Sequence, residues 1–314
     1  MGTLIDGKWQ VDHVNSSMKN GEFKRQNSVF RNSIENKEGA KHPAVKDRYH
    51  LYVSYACPWA HRTLIVRALK GLEDIIPVSI VSPRMMENGW SFIDKYPDMI
   101  ADSVNSANFI RDLYIKADPN VNGKATVPVL WDKLLKTIVS NESSEIIRFL
   151  NSEFNELTGN ELDLYPDNLA AEIDDLNEYI YPNINNGVYR SGFATTQEAY
   201  EKAVRELFSA LDKIDARLEG KEFLVGDQLT EADIRLFTTL VRFDLVYYSH
   251  FKCNLKMLKE YTNLQRYTKA LHNHELIKPT VNFDHIKTHY YYSQRSINPT
   301  GVVPLGPGLS SRNC

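Results

Sequence analysis

The 314 residues predict a two-domain protein, mixed α/β followed by all-α, and three observations carry that expectation. Between residues 48 and 152, short β-branched or aromatic runs alternate with stretches of helical apolar spacing. After residue 167 apolar residues recur every three or four positions, with no strand pattern. A hydrophobic share of 42% beside a charged share of 25% suits a chain that buries a core rather than one that stays disordered.

Residues 1–47 are polar, with isolated apolar anchors at Trp9, Phe23, Phe30 and Ile34, and predict an extended arm lying on a domain surface. The run YHLYVSY at 49–55 predicts the first strand. A helix opens at Cys57-Pro58 and runs to about residue 71, since proline at the first helical position gives up an N–H that has no intrahelical partner. Ala60, Leu64 and Ala68, with Ile65, Leu69 and Leu72 beside them, make its apolar stripe. IIPVSIV at 75–81 predicts a second strand, 83–106 an irregular stretch and 107–117 a second helix. TVPVLW at 126–131 and TIVS at 137–140 predict two more strands, with the Asn141 side chain capping the next helix. The order β-α-β-α-β-β-α over 48–152 is the thioredoxin-like arrangement, closed by a linker near 152–166. An all-helical domain follows over 167–292, in which Thr230 and Asp233 carry a capping-box signature and Leu229 the hydrophobic staple. Residues 293–314, rich in proline and glycine, predict an extended tail.

With 37 basic and 40 acidic residues the formal charge is -3, without the basic field that nucleic acid or an anionic membrane would need. No apolar run approaches the roughly 20 residues of a membrane span, and the N-terminus lacks the apolar region of a signal peptide. A cytoplasmic protein with neither partner is expected. Three cysteines (Cys57, Cys253, Cys314) are too few and too scattered for a disulfide framework or a four-cysteine metal site. His285 and His289 lie four residues apart with no third ligand apparent, so no metal is expected. Cys253 reads as structural and Cys314 as incidental.

The strongest chemical signal is Cys57-Pro58-Trp59-Ala60 at a strand-to-helix corner. A cysteine there faces backbone N–H groups and the positive end of the helix dipole, which favour the thiolate, and His61 and Arg62 add positive potential. Cys57 is therefore a reactive thiol rather than a buried structural one. Three residues on, where a disulfide oxidoreductase carries its resolving cysteine, stands Ala60. A lone thiol cannot close an internal disulfide, so an outside thiol, glutathione foremost, must complete the cycle as co-substrate. Val127-Pro128 is either a cis bond that presents the Val127 backbone to a peptide ligand or an ordinary edge proline. Asn141-Glu142-Ser143-Ser144 sets N–H groups, a hydroxyl and a carboxylate at a helix start, suited to the α-amino acid end of glutathione.

With these motifs the chain resembles the cytosolic glutathione transferases, and within them the xi class, the glutathionyl-hydroquinone reductases. The resemblance rests on CPWA at 57–60, TVPVLWD at 126–132, SNESSEIIR at 140–148, NNGVYRSGFA at 185–194, RFD at 242–244, HFKCN at 250–254 and the closing INP…PLGP, together with GEFKRQ at 21–26 and Phe30-Arg31. It implies a thioredoxin-like domain and a helical glutathione-transferase domain, a homodimer, and glutathione-dependent removal of glutathione from glutathionyl-hydroquinones. It implies Cys57 as the nucleophile and Trp90, Val127, Glu142 and Ser143 as holders of glutathione. Tyr189 and a tyrosine of 290–292, Tyr290 favoured, would face the aromatic substrate. The family commonly has arginine before the Val-Pro strand, where this chain has Lys124, a point charge without the bidentate fork. The alternatives are an omega-like transferase acting on protein mixed disulfides or dehydroascorbate, and a non-catalytic binding module.

Overall fold

The computed structural model describes residues 2–11 and 18–307, so the expectation for Cys314 lies outside the described residues. These form two compact units. The first holds the described residues up to 11 together with 26–162, and the second holds 18–25 together with 163–307.

The chain begins with two short antiparallel hairpins, β1 (Thr3–Ile5) with β2 (Lys8–Gln10) in the first unit and β3 (Met18–Lys19) with β4 (Glu22–Phe23) in the second. The first unit continues with β5 (Tyr49–Val53), α1 (Pro58–Leu69), β6 (Val78–Ile80), α2 (Ile110–Ala117), β7 (Val129–Asp132), β8 (Thr137–Ser140), α3 (Ser143–Ser152) and the single turn α4 (Asn155–Thr158). Its sheet has the order β6-β5-β7-β8, with β5 parallel to β6 and antiparallel to β7. Central β5 is buried along its whole length, which is why its sequence shows an unbroken apolar and aromatic run rather than alternation. This is a thioredoxin-like domain.

The arm is more than an extended surface segment. Leu4 is buried and exchanges backbone hydrogen bonds with Gly123 at 2.8 and 2.9 Å. Farther on, Asn32 N–H donates to Val139 O (2.9 Å), Asn141 N–H donates to Phe30 O (3.0 Å), and Arg31 bridges Ser140. The arm thereby pairs with the outer edge of β8 and satisfies backbone groups that a bare edge strand leaves open.

Two further expectations need correction. The ladder of β7 starts at Val129 rather than Thr126: the last cross-strand pair is Tyr52↔Val129, since Pro128 has no N–H to give to a ladder, and the Val127-Pro128 bond is cis. Asn141 does not cap α3. The cap is Glu142, whose carboxylate accepts from Ser144 N–H at 3.1 Å, while the Asn141 amide is engaged by Phe30 N–H and the Tyr114 hydroxyl, both at 2.9 Å.

The second unit comprises α5 (Ala170–Ile180), a wide π turn over Tyr181–Asn185, α6 (Gly187–Gly192), α7 (Gln197–Arg217), α8 (Glu231–Leu240), a second π turn over Phe243–Tyr247, α9 (Thr262–Asn273), α10 (Phe283–Thr288) and a third π turn over His289–Ser293. The helical spacing that reads continuously from 231 to 248 hides a break after Leu240. A π turn adds a single residue, which turns the following side chains by about 100° but leaves no breaker residue in the sequence to announce it. The capping box of α8 is present: Thr230 donates to Asp233 from its N–H at 2.8 Å and its hydroxyl at 3.0 Å. No helix among the described residues is long and apolar enough to cross a membrane.

Candidate active site

Cys57 is the N-cap of α1, with extended backbone (φ -77, ψ 120) and Pro58 locking the first helical position. Its N–H donates to Ser54 O at 3.2 Å and its carbonyl accepts from His61 N–H at 3.0 Å, so the corner is held from both sides. No side chain caps this helix start, which leaves the dipole end facing the sulfur. The thiol is half-buried, and its S–H points at Val127 O, 3.5 Å away. Ala60, three residues on, is fully buried. His61 and Arg62 are also buried, with the Arg62 guanidinium 4.5 Å from the Trp59 ring centroid.

Val127 sits past the last pair of the sheet, next to the cis proline. It is tied to the Glu142 corner through Tyr114. That buried hydroxyl donates to Thr126 O at 3.0 Å and accepts from the Asn141 amide at 2.9 Å. Glu142 accepts from the Ser144 hydroxyl (2.8 Å) and, across from the arm, from the Ser28 hydroxyl (2.9 Å). Burial alone would raise the Glu142 pKa, but these donors and the nearby Arg62 charge hold it below the usual carboxylate value. Ser143 follows at the first position of α3, and its hydroxyl has no partner among the described residues. Trp90 is buried on the loop before α2, its carbonyl held by Ile110 N–H at 3.0 Å, and Lys124 is half-exposed three residues before Val127. The structure thus joins Cys57 to Val127 directly, and Val127 to Glu142 and Ser143 through Tyr114 and Asn141.

The second unit holds a separate cluster of phenols. Tyr290 is 1% exposed, and its hydroxyl lies 2.6 Å from that of Tyr189 and 2.9 Å from that of Tyr247. Burial pushes the pKa of Tyr247 and Tyr290 well above the ordinary tyrosine value. Of the three adjacent tyrosines only Tyr290 joins this cluster. Tyr291 bonds the Ser249 hydroxyl, and Tyr292 lies under the Arg295 guanidinium at 4.5 Å. Phe193 and Phe251 pack on the Tyr189 ring at 6.1 and 5.3 Å between centroids. Cys253 is fully buried, with its thiol near Val188 O and Phe251 O, and burial pushes its pKa far up. Tyr247, Tyr114 and Ser28 carry no motif in the sequence. They were found only by what their hydroxyls touch.

Residues 56–153 match the family described as glutathione S-transferase, N-terminal domain, and 197–270 the glutathione S-transferase, C-terminal domain. The chain is 52% identical to the glutathionyl-hydroquinone reductase PcpF of Sphingobium chlorophenolicum, over 98% of this chain and 96% of that protein. It superposes on the crystal structure of the glutathione-S-transferase Xi from Phanerochaete chrysosporium with a TM-score of 0.91 and 54% identity, covering 93% of this chain and 95% of that one. The glutathione-bound structure of YqjG from Escherichia coli K-12 gives 0.90 and 48%, covering 98% and 96%. The chain belongs to the xi class of glutathione transferases, the family of the glutathionyl-hydroquinone reductases.

Proposed function

We propose that the protein is a glutathione-dependent reductase that takes glutathione off glutathionyl-hydroquinones through a Cys57–glutathione mixed disulfide. One observation carries the reading: a half-buried thiol stands at the N-cap position of a helix start that no side chain caps, beside the Val127 carbonyl, with a fully buried alanine where a resolving cysteine would stand. In the first step the Cys57 thiolate attacks the glutathionyl sulfur. The carbon–sulfur bond breaks and an S–S bond forms. An aryl carbanion is a very poor leaving group, so the ring carbon takes a proton first, giving the keto tautomer, and the carbon–sulfur electron pair then returns to the ring as the hydroquinone re-forms. The hydroxyls of Tyr189 and Tyr290 hold the hydroquinone oxygens and supply that proton. In the second step another glutathione thiolate attacks the mixed disulfide, releasing glutathione disulfide and restoring the Cys57 thiolate.

The Val127 backbone pairs with the peptide part of glutathione as an added strand. Ser143 and the start of α3 take its α-carboxylate, and Glu142 its ammonium group. Trp90 covers the tripeptide, and Lys124 adds a positive charge to a carboxylate. The protein works in the cytoplasm as a homodimer.

The test is mass spectrometry after exposure to a glutathionyl-hydroquinone. The expected result is one glutathione added at Cys57 with free hydroquinone in solution, and no turnover by Cys57→Ser. Unchanged turnover by that variant overturns the mechanism. An omega-like role is separated by Tyr189→Phe, which is expected to impair the hydroquinone reaction more than reduction of a small glutathione mixed disulfide.

A further inference from the structure

Two residues past the hairpin β3–β4 stands Arg25, which the proposed reaction leaves unused. Its guanidinium carbon lies 4.8 Å from the Tyr189 ring centroid and 5.5 Å from that of Phe23, within cation–π range of both. Its Nε donates to the Asn186 side chain at 3.2 Å, and Asn186 sits immediately before α6, the helix that carries Tyr189. The hairpin itself is anchored to the same unit: Thr195 N–H donates to Gly21 O (3.1 Å), and Lys202 on α7 pairs with Glu22 (3.0 Å). A β-carbon on Gly21 would lie 2.5 Å from the Thr196 hydroxyl, so glycine is what permits this close approach. The cation is therefore held in place by contacts on two sides.

The other groups around Tyr189 differ in what they offer. Tyr290 and Tyr247 lie behind it, more deeply buried, where desolvation opposes a phenolate. Arg242 is wholly buried, and its charge favours the ionised forms of those two hydroxyls. His289 and His250 contact the Tyr290 ring at 5.4 and 6.4 Å, and burial lowers the His250 pKa to about 4, so that ring is neutral at working pH. Arg190, next along α6, is paired with Glu206 on α7 at 2.8 Å. Cys253 is buried and protonated.

We propose that Arg25 is a positioning residue of the reductase reaction: a cation fixed over the Tyr189 ring so that this hydroxyl carries the negative charge left when a proton passes to the substrate ring. The inference rests on the role given to Tyr189 above. In the step concerned, the Tyr189 O–H bond breaks, its proton joins the ring carbon that loses sulfur, and the tyrosinate is stabilised by Arg25 and by the Tyr290 hydrogen bond. The proton shed by the second glutathione thiol then restores the phenol.

The experiment compares kcat for a glutathionyl-hydroquinone with kcat for the mixed disulfide of glutathione and mercaptoethanol, between about pH 7 and 11, a range that brackets ordinary tyrosine ionisation. Taking the ratio cancels the ionisation of Cys57, which both reactions share. An opposite charge at this distance lowers a tyrosine pKa by about one unit or more. Arg25→Gln is therefore expected to lower the ratio about tenfold and to move its alkaline limb up by about one pH unit. Arg25→Lys, which keeps the charge, should restore most of both. In a Tyr189→Phe background Arg25→Gln should change the ratio no further. A proportional loss on both substrates, an unmoved alkaline limb, or the same added loss on top of Tyr189→Phe overturns the role of Arg25 alone. A ratio left unchanged by Tyr189→Phe itself overturns the role of Tyr189, and this inference with it.

Discussion

Cys57 and Cys253 show how one residue type takes opposite characters from its surroundings. Cys57 sits half-buried at a helix start, where the dipole favours a thiolate, whereas Cys253 is sealed in the helical unit and burial pushes its thiol far up. Treatment of the native protein with iodoacetamide at neutral pH should label Cys57 and leave Cys253 untouched until the chain is unfolded. Peptide mass mapping checks this, and equal labelling of the two would contradict the assignment. Glu142 gives a second measurable consequence. Its pKa in the folded protein is lowered from 4.5, so the stability it contributes is complete above that value and is lost as pH falls through the folded value. The gap in urea-unfolding free energy between the native protein and Glu142→Gln should therefore shrink as pH drops below about 4.5. A gap that widens with acidification would mean the carboxylate is not held by its donors.

Helix α6 and the turn that follows the π turn at Phe243–Tyr247 are shaped to each other. The two elements approach so closely that a β-carbon on Gly192 would lie 2.2 Å from Cγ of Phe251, a ring that packs against Tyr189, Tyr247 and Tyr290. Gly192→Ala must displace that ring, and overpacking of this kind costs about 1–3 kcal/mol. Thermal unfolding should report the loss. Hydroquinone turnover should fall more than mixed-disulfide reduction, because the phenols move while Cys57 does not. The π turns at Phe243–Tyr247 and His289–Ser293 place the hydroxyls of Tyr247 and Tyr290 in one chain of hydrogen bonds with that of Tyr189 on α6. A regular helix from 231 to 248 would rotate Tyr247 by about 100° per inserted residue away from that position.

The arm serves each unit by a different means. In the first it inserts Leu4 and extends the sheet beside β8, and in the second it delivers Phe23 and Arg25 to Tyr189. A chain beginning at Gln26 keeps Ser28 and its bond to Glu142 but loses Leu4, a buried side chain whose truncation alone is worth about 2–3 kcal/mol. Such a chain should melt lower and lose hydroquinone reduction more than mixed-disulfide reduction. Calorimetry and paired kinetics test the two effects separately. A parallel loss of both activities would show that the arm acts through stability alone.

Local chemistry was enough to read the strand-to-helix corner at Cys57, the missing resolving cysteine at Ala60, the capping box at Thr230 and the order of strands in the first unit. Each depends on residues close together in the chain, where backbone propensity and spacing decide the outcome. Other features required distant segments to meet. Backbone bonding of the arm to β8 leaves no side-chain signature, because main-chain groups are the same in every residue. The cap passed from Asn141 to Glu142 once Phe30 and Tyr114, from elsewhere in the chain, engaged the asparagine. Among Tyr290, Tyr291 and Tyr292, identical residues in sequence, only packing against α6 and the turn at 243–247 could select one. Sequence spacing therefore sufficed to put Cys57 at a helix start, while the tertiary structure alone assembled the phenols and set a cation over one of them, since a hydrogen bond or a charge acts through space and not along the chain.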